Sequence, residues 1–367
     1  MKRTIKCKML PTPIMEQHLN STLKEFADCC NDVLKIAIEN KESNNIRIHH
    51  LCYKSMRSKY KLSANLVVRA MRRVSASMVR FKRKGGKPKQ FKPTSIDYDA
   101  RIFAYRPKDE SISITTTNGR IHVPLILGGY QKQALNGKTP TAATIVKKSK
   151  TWFAHIVIDE LPETNDGTNI LGVDLGINNI ASCSTGKLID GKTRKKFKES
   201  RNKIRASIQS KGTKGAKKLL KRLSGYENRR IRWENHNISK QIIQESLDNN
   251  CGTIRMEKLT NIRKRTKVFN KHLNRMISGW SFGELQNFIE YKANRKGIKV
   301  EYVNPAYTSQ TCNSCGTIGI RDGEEFTCNR CGILHADINA AKNIAKITSG
   351  DASKPSRINS CVNILHN

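Results

Sequence analysis

Apolar residues recur at helical intervals from about Met15 to Asn40. There Leu19, Leu23, Phe26, Val33, Ile36 and Ala37 share one side of a helix. The same period returns from about Ser63 to Lys82, with Leu66, Ala70, Val74, Met78 and Phe81 as the inward stripe. Arg69, Arg72, Arg73 and Arg80 lie off that stripe. Residues 1 to about 10 read as a short strand ending at Pro11 and Pro13. Between residues 95 and 160 the pattern changes to short runs, IFAY, SISITTT, RIHVPLI, AATIVKK and WFAHIVIDE, parted by Gly, Pro and Asn. These are strands with turn signals. LPETNDGTN reads as a linker, and the strand from Ile170 opens a different domain. TIRMEKL predicts a further strand and HADINAAKNIAKI a helix.

Charge changes this picture more than any other property. The chain has 367 residues, with 68 Lys+Arg against 30 Asp+Glu and a net charge of +38. Such a fold repels itself and calls for a polyanionic partner, of which nucleic acid is the obvious case. Ribosomal or histone-like structural proteins share this property, so charge alone does not select an enzyme. The basic residues are concentrated. From Arg69 to Lys92 there are ten and no acid, which makes Arg69, Arg72, Arg73, Arg80, Lys82, Lys87 and Lys89 candidates for nucleic-acid contact. Residues 192–232 hold 17 Lys+Arg and two Glu. This tract, broken at Gly212 and Gly215, reads as a long helical hairpin running on through Ile238, Ile242, Ile243 and Leu247. No window approaches a membrane span and the start lacks an apolar export core, so a cytoplasmic, reducing compartment and no membrane partner are expected. Eleven cysteines in that setting argue for metal or core roles rather than disulfides.

Three carboxylates stand out by position. In ILGVDLGI, Leu171, Val173, Leu175 and Ile177 share one face of a strand, while Asp174 lies on the other between Gly172 and Gly176. The glycines leave bare backbone for close approach of a ligand; the plainer reading is a turn aspartate at a strand end. Glu257 lies opposite Ile254 and Met256, a weak signal because surface strands often carry Glu. Asp337 shares a helix face with Ala340, Ala341 and Ile344, although it suits an N-cap as well. The Ala340–Ala341 pair suggests close packing on a sheet. Taken together, such acids repel one another unless cations lie between them. Two Mg²⁺ roughly 3.5–4 Å apart suit phosphodiester hydrolysis.

Cys312-x2-Cys315 and Cys328-x2-Cys331 are separated by twelve residues. Each pair aims two thiolates at one point, and four thiolates close the coordination shell of one Zn²⁺ at about 2.3 Å, so this metal is structural. Gly316, Gly323 and Gly332 would supply the turns. Cys7, Cys29, Cys30, Cys52, Cys183, Cys251 and Cys361 show no ligand spacing and read as ordinary.

The segments GVDLGINNIASCSTG, RMEKL, WSFGELQNFIEYKANRKGIKVEYVNPAYTSQTCNSCG, FTCNRCG and HADINAAKNI resemble the RuvC-type nuclease of IS200/IS605-type, transposon-encoded TnpB proteins, compact relatives of Cas12 CRISPR effectors. The likeness covers about residues 168–347 strongly. It is weaker in the N-terminal part, through the opening strand, the Arg-rich helix and KPKQFKP. It implies an RNA-guided, Mg²⁺-dependent DNA endonuclease cutting beside a short transposon-associated motif. Asp174, Glu257 and Asp337 match the catalytic acids that hold two Mg²⁺, and one Zn²⁺ is structural. Many relatives are acidic two residues before the last Asp; here that residue is His335. The implied fold class is an α+β/α/β multidomain chain. It would comprise an RNase H-like (RuvC) domain at 168–309 and 333–349 and a zinc ribbon at 310–332. A β-barrel-like wedge domain at 1–12 and 92–165 and a helical recognition insert at 13–91 would precede them, with a disordered tail at 350–367 following. Implied partners are a guide RNA and double-stranded target DNA, with one chain per RNA. A compact Cas12-like CRISPR effector is the alternative; a nuclease-dead repressor, which would have lost acids, and a conventional transposase rank below it.

Overall fold

The computed structural model describes residues 1–86, 88–259, 280–304 and 307–347. Lys87 and the tail expected to be disordered lie outside these. Two compact units divide the chain, Met1–Leu161 and Pro162–Asn367.

The first unit is built on seven strands: β1 (Lys2–Met9), β2 (Ser95–Asp99), β3 (Phe103–Arg106), β4 (Ser111–Thr116), β5 (Gly119–Ile126), β6 (Ala142–Lys148) and β7 (Thr151–Asp159). They form one antiparallel sheet in the order β2-β6-β7-β1-β5-β4-β3. β1 alternates strictly: Ile5, Cys7 and Met9 are buried between exposed lysines. On β7, Trp152, Ala154, Ile156 and Ile158 point inward, and Ile5 lies opposite Ile156. The sheet packs against α1 (Pro13–Glu39), α2 (Asn45–Lys59) and α3 (Ala64–Lys84). Each begins at a side-chain cap. Thr12, Asn44 and Ser63 accept from backbone N–H groups of the first turn, and Pro13 occupies a first-turn position where no donor is needed. A short α4 (Gly129–Leu135) joins β5 to β6.

The second unit contains β8 (Asn169–Asp174), β9 (Asn179–Cys183), β10 (Leu188–Asp190), α5 (Lys192–Ser210), α6 (Lys214–Asp248), β11 (Cys251–Glu257), α7 (Phe282–Arg295) and β12 (Lys299–Val303). Its sheet runs β10-β9-β8-β11-β12. β8, β11 and β12 are parallel, and β9 and β10 antiparallel. Leu171, Val173, Ile254 and Met256 face a core shared with α6 and α7. A three-stranded ribbon follows, β13 (Ile320–Asp322), β14 (Glu325–Cys328) and β15 (Gly332–His335), leading into α8 (Ala336–Lys346). The basic tract forms the hairpin α5–α6, turning at Gly212 with φ +63°. Gly215 is not a break: it lies in the first turn of α6, behind a Thr213 cap. No helix among the described residues is long and apolar enough to cross a membrane.

α8 lies on the face of the sheet opposite that core, and Gly172 decides how closely. A Cβ there would stand 2.0 Å from the Ala341 carbonyl oxygen and 2.7 Å from the Ala345 nitrogen. The bare backbone beside Asp174 therefore admits a helix, not the ligand expected of it. Arg255 anchors the far end of that helix: it donates to the Ala345 carbonyl at 2.7 Å and to Glu301 at 2.7 Å. Gly172→Ala must push α8 off the strand. Urea unfolding should register a loss of about 1–3 kcal/mol or more, the usual cost of overpacking; an unchanged midpoint would show that the helix yields freely.

Candidate active site and metal centre

β8 and β11 end at Asp174 and Glu257, and Val173 is paired with Met256. The two carboxylates therefore stand side by side at the carboxyl ends of adjacent parallel strands, where open α/β sheets bind ligands. Their parity with Gly172 and Arg255 sets them toward α8. Asp337, in the first turn of α8, accepts from Asn179 Nδ2 at 2.8 Å and from Arg321 at 2.5 Å. His335 holds the N-cap position, so Asp337 is not the cap.

Asp174 and Glu257 retain a partial opening to solvent. Burial among protein atoms, then the charges of Glu257 and Asp337, push the Asp174 carboxyl up to about 7. Burial also raises Glu257, against a hydrogen bond from the Thr308 hydroxyl to its Oε1 at 2.5 Å. Among the described residues no Lys or Arg forms an ion pair with Asp174 or Glu257. A cluster of hard oxygen donors, mutually repelling and open on one side, fits a divalent cation such as Mg²⁺.

The thiolate centre is already assembled. Sγ atoms of Cys312, Cys315, Cys328 and Cys331 lie within 4.8 Å of one another. Among the described residues no other three Cys, His or carboxylate groups are drawn this close; the oxygens of Asp174, Glu257 and Asp337 stand further apart. The two knuckles match, each followed by a glycine of positive φ, Gly316 at +74° and Gly332 at +78°. The Thr317 hydroxyl and backbone N–H groups hold Cys328 down to about 6, while the hydrogen bond with Cys315 and burial push Cys331 up to about 12. Four sulfurs suit one Zn²⁺.

Two asparagines one turn apart on α8 fix this ribbon to the carboxylate cluster. Asn339 accepts from the Asn313 backbone and side-chain N–H groups, both at 2.8 Å, and donates to the Thr311 carbonyl at 2.8 Å. Asn343 donates to the carbonyls of Thr308 and Thr311 at 2.9 and 2.7 Å. Thr308 is thus held by the same helix that carries Asp337. Arg321, Asn179 and Thr308 escape sequence reasoning. Arg321 meets the acid only through the ribbon's fold. A buried Asn opening an apolar strand was the available signal for Asn179.

The N-terminal candidates separate. Arg69 pairs with Asp99 at 2.5 Å; Arg73 pairs with Asp97 at 2.7 Å, donates to the Ser95 carbonyl and lies over the Phe26 ring. These two guanidiniums pin α3 to β2, so each of these two nucleic-acid candidates already holds an acid. Arg72, Arg80, Lys82 and Lys89 are exposed.

Solved structures share this architecture. The Cas12f1–sgRNA–target DNA complex aligns over 90% of this chain and 82% of its own, with TM-score 0.62 and 20% identity. The mini-RNA-guided endonuclease CRISPR-Cas_phi3 aligns over 94% and 92%, with TM-score 0.52 and 14% identity. At such identities the likeness concerns fold: a Cas12-like multidomain chain of mixed α/β content. The IS605 OrfB family model, described as a probable transposase, matches residues 145–263, and the Cas12f1-like TNB domain matches 282–344. The TnpB-like protein MJ0751 of Methanocaldococcus jannaschii is 32% identical over 250 residues, 64% of this chain and 88% of that one. The CRISPR-associated endodeoxyribonuclease Cas12f1 of Sulfoacidibacillus thermotolerans is 33% identical over 256 residues, covering 62% of this chain and 59% of its own. The chain belongs to the TnpB-like family.

Two outcomes test the site. Folding raises the Asp174 pKa from 3.8 to about 7, so it favours the protonated form. In chelator, this group should make the protein progressively less stable as pH rises from about 4 through 7, with no further change above. Thermal melts of wild type against Asp174→Asn should converge at low pH and separate as pH rises; a constant difference removes the effect. Thr308→Val should weaken Mg²⁺ binding about 10- to 100-fold by calorimetry, with Thr308→Ser restoring it. Equal affinities would strip Thr308 of that role.

Proposed function

We propose that this chain is an RNA-guided, Mg²⁺-dependent DNA endonuclease encoded by an insertion sequence, acting through a single RuvC-like site. The observation that carries the reading is the convergence of Asp174, Glu257 and Asp337 at one open sheet end. Two further features support it. Numbered from β8, the sheet order is third-second-first-fourth-fifth with the second strand antiparallel, the arrangement expected of an RNase H-like domain. The net charge of +38 suits a protein that holds RNA and DNA together.

The three carboxylates would hold two Mg²⁺, which when bound supply Lewis acidity for in-line phosphodiester hydrolysis. The chain's own residues do the positioning. Thr308 fixes one oxygen of Glu257, the other accepting from no side chain among the described residues, and Asn179 orients Asp337. Arg321 balances Asp337. Zn²⁺ on the four cysteines would serve only to hold the ribbon. Residues 1–12 and 92–165 would grip the guide scaffold as a wedge, and 13–91 would read the flanking duplex. Base pairing would select the target. One chain with one RNA in the prokaryotic cytoplasm is the assembly this implies.

A compact CRISPR effector with the same chemistry is the second reading, prompted by the Cas12f1 relatives but not favoured. Coverage argues for the transposon protein: the chain spans 88% of its TnpB-like relative but 59% of Cas12f1. Protein purified from cells should carry a bound RNA, and Asp174→Ala, Glu257→Ala and Asp337→Ala should each reduce cleavage of RNA-matched DNA by about 10³-fold or more while matched binding survives. Sequencing that RNA separates the two readings: a transposon-end transcript against a CRISPR repeat. Wild-type cutting by any of the variants would remove that acid from the site.

A further inference from the structure

The hairpin α5–α6 carries a surface that the cleavage chemistry does not use. Some of its cations are internal fasteners. Arg194 is buried on Glu234 and Asn235, Arg205 grips Glu227, and Arg230 lies over the Phe197 ring while pairing with Glu234. Glu227 and Glu234 are thereby neutralised from within the hairpin.

A different set points outward. At 100° per residue, Arg222, Tyr226, Arg229, Trp233 and Lys240 fall within about 60° of arc on α6. All five are exposed. Trp233 is 65% exposed and, among the described residues, stacks on no ring or cation. Tyr226 is 43% exposed, its ring backed by Arg201 at 5.3 Å. The chain's other tryptophans are buried: Trp152 is 1% and Trp280 6% exposed. The order along the stripe is cation, aromatic, cation, aromatic, cation, with no acid among them. The two rings stand about 10 Å apart along the axis, room for about three nucleotides at a ~3.4 Å stacking repeat.

We propose that this face of α6 is a stacking platform for single-stranded nucleic acid. Bases would lie on Trp233 and Tyr226, with phosphates on Arg222, Arg229 and Lys240. A duplex would use the cations but hides its base faces, leaving a bare indole without purpose. A protein partner would have to bury three uncompensated cations beside it. Aromatic rings interleaved with cations answer both demands of a single strand at once. The proposal rests on the nucleic-acid reading above, but not on its chemistry.

The test uses the full chain with its co-purified RNA, in EDTA. Fluorescein-labelled oligo-dT, oligo-U and a DNA duplex of equal length, none matching the bound RNA, are titrated by anisotropy. Trp233→Ala should weaken binding of one or both single strands by about tenfold or more, and Trp233→Phe should retain most of it. Arg229→Gln should lower the salt slope by about one for strand and duplex alike. Loss confined to oligo-dT marks a displaced DNA strand as the occupant, and loss confined to oligo-U marks RNA; either supports the platform. Wild-type affinity of Trp233→Ala for both strands overturns it. So does an equal loss on the duplex, or a change only in self-association, which would make the face a contact between copies. Should Trp233→Ala not fold, Arg222→Gln with Tyr226→Ala carries the same comparison. Cleavage of matched target is not read, so failure here and failure of the carboxylate site are distinguishable.

Discussion

The closeness of α8 to β8 is the constraint on which the second unit depends. Any side chain at position 172 would meet helix backbone, so glycine there sets the distance between the strand that ends in Asp174 and the helix that carries Asp337 in its first turn. Arg255 secures the same helix at its other end. Asn339 and Asn343 then tie the ribbon's entry to the helix, and through Thr308 reach Glu257. One helix thus determines the position of all three acids. It also exacts a cost: burial, and then the charges of the two neighbouring carboxylates, lift Asp174 to about 7. A fold optimised for stability alone would not bring them together. A cation bound there would relieve that repulsion.

The positive charge is divided between two kinds of work. Arg69, Arg73, Arg194, Arg205 and Arg230 spend their charge on neighbouring acids and rings and make the scaffold rigid. Others, Arg222, Arg229 and Lys240 among them, face outward, and among the described residues these three form no ion pair with an acid. A count of basic residues cannot separate these roles, because both produce Lys- and Arg-rich helices.

Much of the architecture was legible in the residues, for identifiable reasons. α1, α3 and β3 to β7 are long or strongly patterned, and periodicity finds them. α2 was missed because its buried stripe is only Ile48, Cys52 and Met56 among histidines and cations. β2 was missed because two of its five residues are Asp97 and Asp99, whose partners are Arg69 and Arg73, distant in sequence. The acids and cysteines were legible because their chemistry needs particular residue types at particular spacings. Thr308, Asn179 and Arg321 were not, since each acts through a contact made only by the folded chain. Gly172 was noticed for the right property, a missing side chain, and given the wrong neighbour.

The place of β1 has a consequence for how the chain is made. It occupies the middle of its sheet, between β5 and β7, although it precedes both along the chain. Its register with β7 joins Lys2 to Asp159. The first unit therefore cannot close until almost its whole length has left the ribosome. Until then, β1 carries the unpaired edge that awaits β7 and an apolar face, the hazard of a strand whose partner arrives late. Its lysine-rich outer face, Lys2, Lys6 and Lys8, is the kind of charge that discourages pairing with the wrong chain during that wait.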